Sequence, residues 1–336
     1  MKRFLRDIGA LIISPIILLV IIYLWTDPFR CIHAFDIDDT DVANREYFST
    51  ELFLRNQQTY HYNSFIFGSS RGMGLNTYTW KMYLSDDARP FIFQSWGETI
   101  TGIELKIDYL IEQNIPINNA LVLIDIPTTF DAIQLPTIAI KRKHYLFTTK
   151  SKFLYNVGQF YNFIQKPSFV VKKLTKTLHG TKNKCEFDTI TNDCYLTNKN
   201  NYAQLPPQDT ISETTRKLFF PQIESGDTIQ LRSEPLITPQ FQKQLEHIHD
   251  VFVNKETDYY VIITPGYCYA NPSINEQDLV LLKEIFEDNR IFDYSGKNYI
   301  TMDFNNYIDP NHFSLHAGFL ILQDIYQNHS LVNVIQ

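Results

Sequence analysis

Two short stretches of this sequence carry residue types that could do acyl chemistry together. Phe65-Ile66-Phe67-Gly68-Ser69-Ser70-Arg71-Gly72 reads as a strand ending in a tight Gly-Ser-Ser turn toward a helix. A serine hydroxyl held there lies at the carboxyl end of a strand, where ligands bind in open α/β sheets. The N–H groups of the turn aim at the same point, which suits a developing oxyanion. Tyr307-Ile308-Asp309-Pro310-Asn311-His312-Phe313 stands just before the last helical stretch. An aspartate three residues ahead of a histidine can accept the imidazole Nδ1–H and fix its tautomer, which frees the other nitrogen to act as base. Each stretch alone has a plainer reading. Gly-Ser-Ser is common in turns, and Asp-x-x-His marks helix starts with an aspartate cap. On residue type alone, Ser69 and Ser70 both remain candidates.

The elements that must position these groups follow from the hydrophobic pattern. Short apolar runs occur at Ser64–Phe67, Phe91–Phe93, Ala120–Ile126, Tyr259–Thr264 and Arg290–Phe292. Amphipathic stretches at Asn76–Ser85, Thr101–Gln113, Pro239–Val253, Asn275–Glu287 and Ser314–Gln327 predict helices between or after them. Continuous β-rich runs, not alternating ones, suit strands covered on both faces. Strands separated by helices predict a parallel sheet in a three-layer α/β domain. The expectation is a flavodoxin-like sheet of about five strands.

Ile8 to Trp25 contains no charge, and its 18 residues span roughly 27 Å as a helix, close to the hydrocarbon thickness of a bilayer. Lys2, Arg3 and Arg6 precede it, and Tyr23 and Trp25 lie at its far edge. The positive-inside bias then puts the N-terminus in the cytoplasm and the rest outside. The exit Thr26-Asp27-Pro28-Phe29-Arg30 offers no small-x-small cleavage site, which favours a retained anchor over a removed signal peptide. The expected organisation is a cytoplasmic tail (1–7), a single transmembrane signal anchor (8–25), a polar stalk (26–57), a domain formed by 58–130 and 235–336, and an insertion or lid (131–234). From Ala132 to Cys185 the insertion has eleven Lys or Arg and no Asp or Glu, with aromatics interleaved. That segment suits either a solvated helical face or contact with membrane lipid or an acidic polymer.

Of 336 residues, 44% are hydrophobic and 20% charged, enough to bury a real core. A net charge of −7 argues against general nucleic-acid binding. Cys185 and Cys194 are nine apart, a spacing that suits a stapled hairpin or loop, while Cys31 and Cys268 could be free or paired. Four unpaired thiols is the alternative. Without a C-x-x-C there is little support for zinc or thioredoxin-like chemistry. Asp36-Ile37-Asp38-Asp39-Thr40 fits the D-x-D-x-T signature of haloacid-dehalogenase phosphatases. That motif must end a buried strand, and the polar surroundings here suit an acidic stalk better.

A serine after the first strand and Asp-x-x-His before the last helix resemble the layout of the SGNH/GDSL hydrolase superfamily. The branch most similar is the membrane-anchored one that handles cell-envelope polymers, including teichoic-acid D-alanylation and alginate O-acetylation proteins. The resemblance covers roughly residues 60–130 and 255–330. It implies a nucleophile two residues after the glycine, hence Ser70 and not Ser69, with Asp309 and His312 completing the catalytic set. It also implies an oxyanion hole of Ser70 and Gly97 amides, Gly97 lying in Gln94-Ser95-Trp96-Gly97-Glu98. The family's third block normally supplies an Asn, whereas the third strand here ends Ile124-Asp125-Ile126-Pro127-Thr128-Thr129. Thr128 and Arg71 are the remaining candidates for contact with substrate.

The function so implied is a serine esterase or O-acyltransferase acting on an acylated envelope glycan or polymer, or on an acyl group passed across by a membrane-bound O-acyltransferase. No metal or organic cofactor is implied. The alternative is a catalytically degenerate scaffold or binding subunit of an envelope-polymer complex.

Overall fold

The computed structural model describes residues 2–29, 31–33, 44–131, 143–148, 151–165, 171, 174–175, 186–195 and 234–328. In chain order its helices are α1 (Lys2–Thr26), α2 (Arg45–Tyr60), α3 (Thr77–Lys81), α4 (Ile100–Glu112), α5 (Lys152–Ile164), α6 (Pro239–Asn254), α7 (Glu276–Phe286), α8 (Tyr299–Met302) and α9 (Leu315–Gln323). The strands are β1 (Ser64–Gly68), β2 (Pro90–Gln94), β3 (Asn119–Ile124), β4 (Glu186–Phe187), β5 (Cys194–Tyr195), β6 (Asp258–Ile263), β7 (Ile291–Asp293), β8 (Tyr307–Asp309) and β9 (His312–Phe313). By chain contacts these fall into two units, Met1–Phe48 with Leu135–Cys185 and Ser49–Gln134 with Glu186–Gln336.

The second unit holds a five-stranded sheet in the order β2-β1-β3-β6-β7, every pair parallel. Counting only these five strands, this is the 2-1-3-4-5 order of flavodoxin-like folds, an α/β architecture. All five residues of β1 are buried, as a central strand covered on both faces requires. On one face, Phe53 of α2 packs its ring 6.0 Å from Phe65, 5.6 Å from Phe91 and 5.0 Å from Phe93. On the other face, Ile66, Ile92, Leu121, Leu123 and Ile262 share a core with Trp80 of α3 and Ile321 and Leu322 of α9. Burying one such aromatic or aliphatic side chain contributes roughly 1.5–3 kcal/mol.

Each of the five predicted strands is present, within two residues of its expected ends. The helices differ more. The stretch predicted over 76–85 holds only α3, because Lys81 Nζ reaches forward to the carbonyls of Ser85, Asp86 and Ala88 and closes the turn. The last helix changes to a π turn over Asp324–Asn328. The predicted stalk also ends differently: from residue 45 it is α2, whose Leu52 and Phe53 are buried. The D-x-D-x-T stretch, 36–40, lies outside the described residues.

The expected 131–234 insertion is divided in the structure. Its 186–195 portion belongs to the sheet unit as the β4–β5 hairpin, which lies along β2. Thr191 O accepts from Ile92 N (3.0 Å), so the exposed edge of β2 is covered. Asp193 accepts from Thr77 N (2.9 Å) and from the hydroxyls of Thr77 and Thr191. Cys194 is disulfide-bonded, Cys268 is a free buried thiol, and the buried Cys31 Sγ donates to Phe29 O (3.2 Å). Cys185 lies outside the described residues, as do the lysines at 166, 172, 173 and 176.

In the first unit, α5 packs on the end of α1, with the Tyr23 ring 5.3 Å from both Phe160 and Phe163. Tyr155 stacks on Tyr47 at 5.4 Å, and its hydroxyl accepts from Asn44 (2.8 Å) and Gln159 (3.0 Å). Among the residues whose side chains are described, no helix is long and apolar enough to cross a membrane. The backbone of α1 is helical throughout Lys2–Thr26.

Candidate active site

The strand β1 delivers Ser69 and Ser70 to the carboxyl edge of the sheet, and the two hydroxyls part there. Ser69 caps the 3-10 turn Ser70–Gly74, its oxygen accepting from Arg71 N (3.2 Å) while its O–H donates to Asp125 Oδ2. Its side chain is buried, whereas Ser70 is half-buried at the surface of the turn. Ser70 Oγ lies 2.9 Å from His312 Nε2. His312 Nδ1 lies 2.9 and 2.8 Å from the two oxygens of Asp309. A carboxylate can only accept, so Nδ1 carries the proton and Nε2 presents a lone pair to Ser70.

Burial pushes the Asp309 carboxyl up, but His312 and the N–H groups of Asn311 (2.8 Å) and His312 (3.1 Å) outweigh it. The net result is a carboxyl below its ordinary range, hence ionised and acceptor-only. The β8–β9 hairpin, with Asp309 opposite His312 in the register, holds the pair in place.

Two glycines bring the serine turn and the histidine hairpin together. A Cβ on Gly74 would stand 2.3 Å from the Phe313 ring, and one on Gly318 would stand 1.8 Å from Gly74 O. Only residues without side chains let α9 and β9 settle this closely on the turn.

A polar chain braces the same junction beneath the surface. Asp125, buried at the end of β3, accepts from Thr264 Oγ1 (2.6 Å) as well as from Ser69. Thr264 in turn accepts from Arg71 (3.0 Å), and the other arm of that guanidinium donates to Asn271 Oδ1 (3.1 Å). Asn271 Nδ2 donates to Pro310 O (2.7 Å), between Asp309 and His312. Arg71, the sequence's other candidate for contact with substrate, is therefore buried with its guanidinium engaged in the brace.

Gly97 adopts φ +59°, a left-handed conformation that glycine tolerates best, in the half-buried loop between β2 and α4. Next to it, Glu98 is fully buried against the Lys106 ammonium, and its Oε1 accepts from Thr99 N (3.1 Å). Ser95 N donates to Gly68 O (3.2 Å), tying this loop to the end of β1. Thr128, itself half-buried, opens the turn Thr128–Phe130, whose other two residues are buried, and its carbonyl accepts from Asp131 N (3.2 Å). Nothing described joins Thr128 to Ser70 or His312.

The structure thus joins Ser70, His312 and Asp309 in one hydrogen-bonded line. Asp125, Thr264 and Asn271 were missed from sequence as parts of the site. Their one shared signal is position: Asp125 and Thr264 each follow the last residue of a parallel strand, where site residues concentrate. Among the described residues, no group of three or more His, Cys, Asp or Glu could hold a metal ion. No protein-family model matches this chain, and no curated protein matches it in sequence.

Proposed function

We propose that this protein is a membrane-anchored serine acyl esterase or O-acyltransferase of the SGNH type, acting on an acylated cell-envelope polymer. The observation that carries the reading is the Ser70–His312–Asp309 line at the carboxyl edge of the sheet. In the reaction, Ser70 Oγ attacks an acyl carbonyl as its proton passes to His312 Nε2. The oxyanion forms against the amides of Ser70 and Gly97. Collapse expels the substrate alkoxide, which takes the proton back from the imidazolium and leaves an acyl-serine. Water, or a polymer hydroxyl in the transfer version, then attacks that ester with His312 again as base. Asp309 keeps the imidazole in the tautomer both steps need.

The envelope setting rests on α1, a 25-residue helix with the uncharged run Ile8–Trp25 and with Leu11, Ile16, Leu18, Ile21 and Leu24 exposed. Exposed apolar residues along a helix of this length suit lipid surroundings. Lys2, Arg3 and Arg6 favour a cytoplasmic N-terminus with the sheet unit outside. A membrane-bound O-acyltransferase is a fitting supplier of the acyl group. One feature favours a non-catalytic scaffold instead: the stretch Ile124–Thr129, which ends the third strand, has no Asn to add to an oxyanion hole, and the Asp125 carboxylate there is turned inward to Ser69 and Thr264.

Labelling the purified protein with a serine-directed fluorophosphonate decides between them. Modification at Ser70, abolished in Ser70→Ala, supports the enzyme. A folded wild-type protein that stays unlabelled would leave the scaffold.

A further inference from the structure

The helix α5 exposes a row of apolar residues in addition to the aromatic residues it buries. Phe153, Val157, Tyr161 and Ile164, with Leu154 beside them, fall on one face by helical spacing, and all five are exposed, Phe153 at 73% and Tyr161 at 57%. The face turned inward consists of Tyr155, Gln159 and Phe163. A soluble helix buries its apolar stripe and exposes its polar one. Here the inner face holds the glutamine, and the outer face of these five residues holds no charge or amide.

Two further observations say what covers that outer face. The inner face meets α1 near its carboxyl end, where Tyr23 contacts Phe160 and Phe163, two residues before Trp25. Aromatic residues at the end of an apolar helix mark the level of the membrane–water interface. The chain around α5, from Ala132 to Cys185, has eleven Lys or Arg and no Asp or Glu. That composition complements anionic headgroups.

We infer that α5 is an interfacial membrane helix, lying along the bilayer surface beside the exit of α1. Its Phe153–Ile164 face is sunk among the upper acyl chains, and the excess of Lys and Arg in the surrounding sequence favours anionic headgroups. The inference rests on the reading of α1 as a membrane anchor.

The test is site-directed spin labelling of the full-length protein in nanodiscs of phosphatidylcholine and phosphatidylglycerol. A genetically encoded spin label at Val157 or Tyr161 leaves the native cysteines untouched. Collision with oxygen, which partitions into lipid, is compared with collision with a water-soluble nickel chelate. Leu18 serves as the anchor control and Glu256, exposed in the sheet unit, as the aqueous control. Labels at Val157 and Tyr161 should collide with oxygen freely and with nickel about tenfold less than the label at Glu256. Nickel access equal to that at Glu256 would overturn the inference in favour of a solvated face. Low access to both reagents would overturn it in favour of a protein partner or a second copy of this chain. A lipid-like Leu18 with nickel-accessible Val157 sinks the interfacial helix alone, whereas nickel access at both positions sinks the anchor reading too.

Discussion

Ser70→Ala removes the hydroxyl that meets His312 Nε2 at 2.9 Å, and esterase or acyl-transfer activity should fall at least about a thousandfold. His312→Ala should cost about as much, since the two act as one unit and their losses do not add. Asp309→Asn should be severe but smaller, because an amide can offer Nδ1 the wrong partner. Ser69→Ala behaves differently. It leaves the buried Asp125 short of one donor, so it should lower stability by roughly 1–3 kcal/mol while substantial activity survives. Thermal unfolding and turnover measured on the same four proteins separate these outcomes, and a folded Ser70→Ala protein with full activity would refute the triad. The residues of the Ser70–His312–Asp309 line were legible because each motif is local: Gly68 to Ser70 in three positions, Asp309 to His312 in four. Asp125, Thr264 and Asn271 were not, since the brace is assembled from the ends of β3 and β6 and a following loop. No spacing within one segment encodes such a contact. Arg71 was legible as a charge next to the serine, but whether it faced substrate or core depended on Thr264 and Asn271, which lie about 200 positions away.

Among the elements, the β4–β5 hairpin makes a pH-dependent claim. Burial pushes the Asp193 carboxyl up to about 6, against the opposing pull of the Thr191 and Thr77 hydroxyls and Thr77 N–H. A carboxyl raised in the fold contributes stability that is complete below its unfolded value, near 4, and lost as pH rises through about 6. The two values differ by about 2 units, or roughly 3 kcal/mol at most. Asp193→Asn, which cannot ionise, should therefore remove most of the fall in melting temperature between pH 4 and pH 7. An unchanged pH profile would show that Asp193 is not the group responsible. The hairpin itself was foreshadowed by the spacing of Cys185 and Cys194, and non-reducing mass spectrometry should find these two in one linked peptide. Its docking along β2 was not foreshadowed, because Thr191 and Ile92 pair through backbone groups that any residues possess. The strands were readable because five apolar runs each had to be covered on both faces. The reach of α3 was not, since it ends where Lys81 finds three carbonyls beyond the helix.

For the molecule as a whole, orientation is the first claim to check: alkaline phosphatase fused at the C-terminus should be active and the N-terminal fusion silent. An active cytoplasmic reporter at the C-terminus would reverse the topology and remove the envelope substrate with it. The two-unit division was partly hidden from sequence, because residues 1–48 and 135–185 come together from distant parts of the chain. The meeting of Gly74 with Gly318 couples local packing to the whole fold. Gly318→Ala would place a methyl group against Gly74 O, so it should cost about 1–3 kcal/mol and separate Ser70 from His312. Fluorophosphonate labelling should drop with it, even in preparations that keep their circular dichroism. The same contact sets an order of events during synthesis. Ser70 emerges from the ribosome 242 residues before His312, and α9 follows later still. Until that final helix seats on the turn, the serine has no base beside it. On the proposed acyl-transfer reading, a half-made chain would therefore lack an activated serine until the carboxyl-terminal helix has docked.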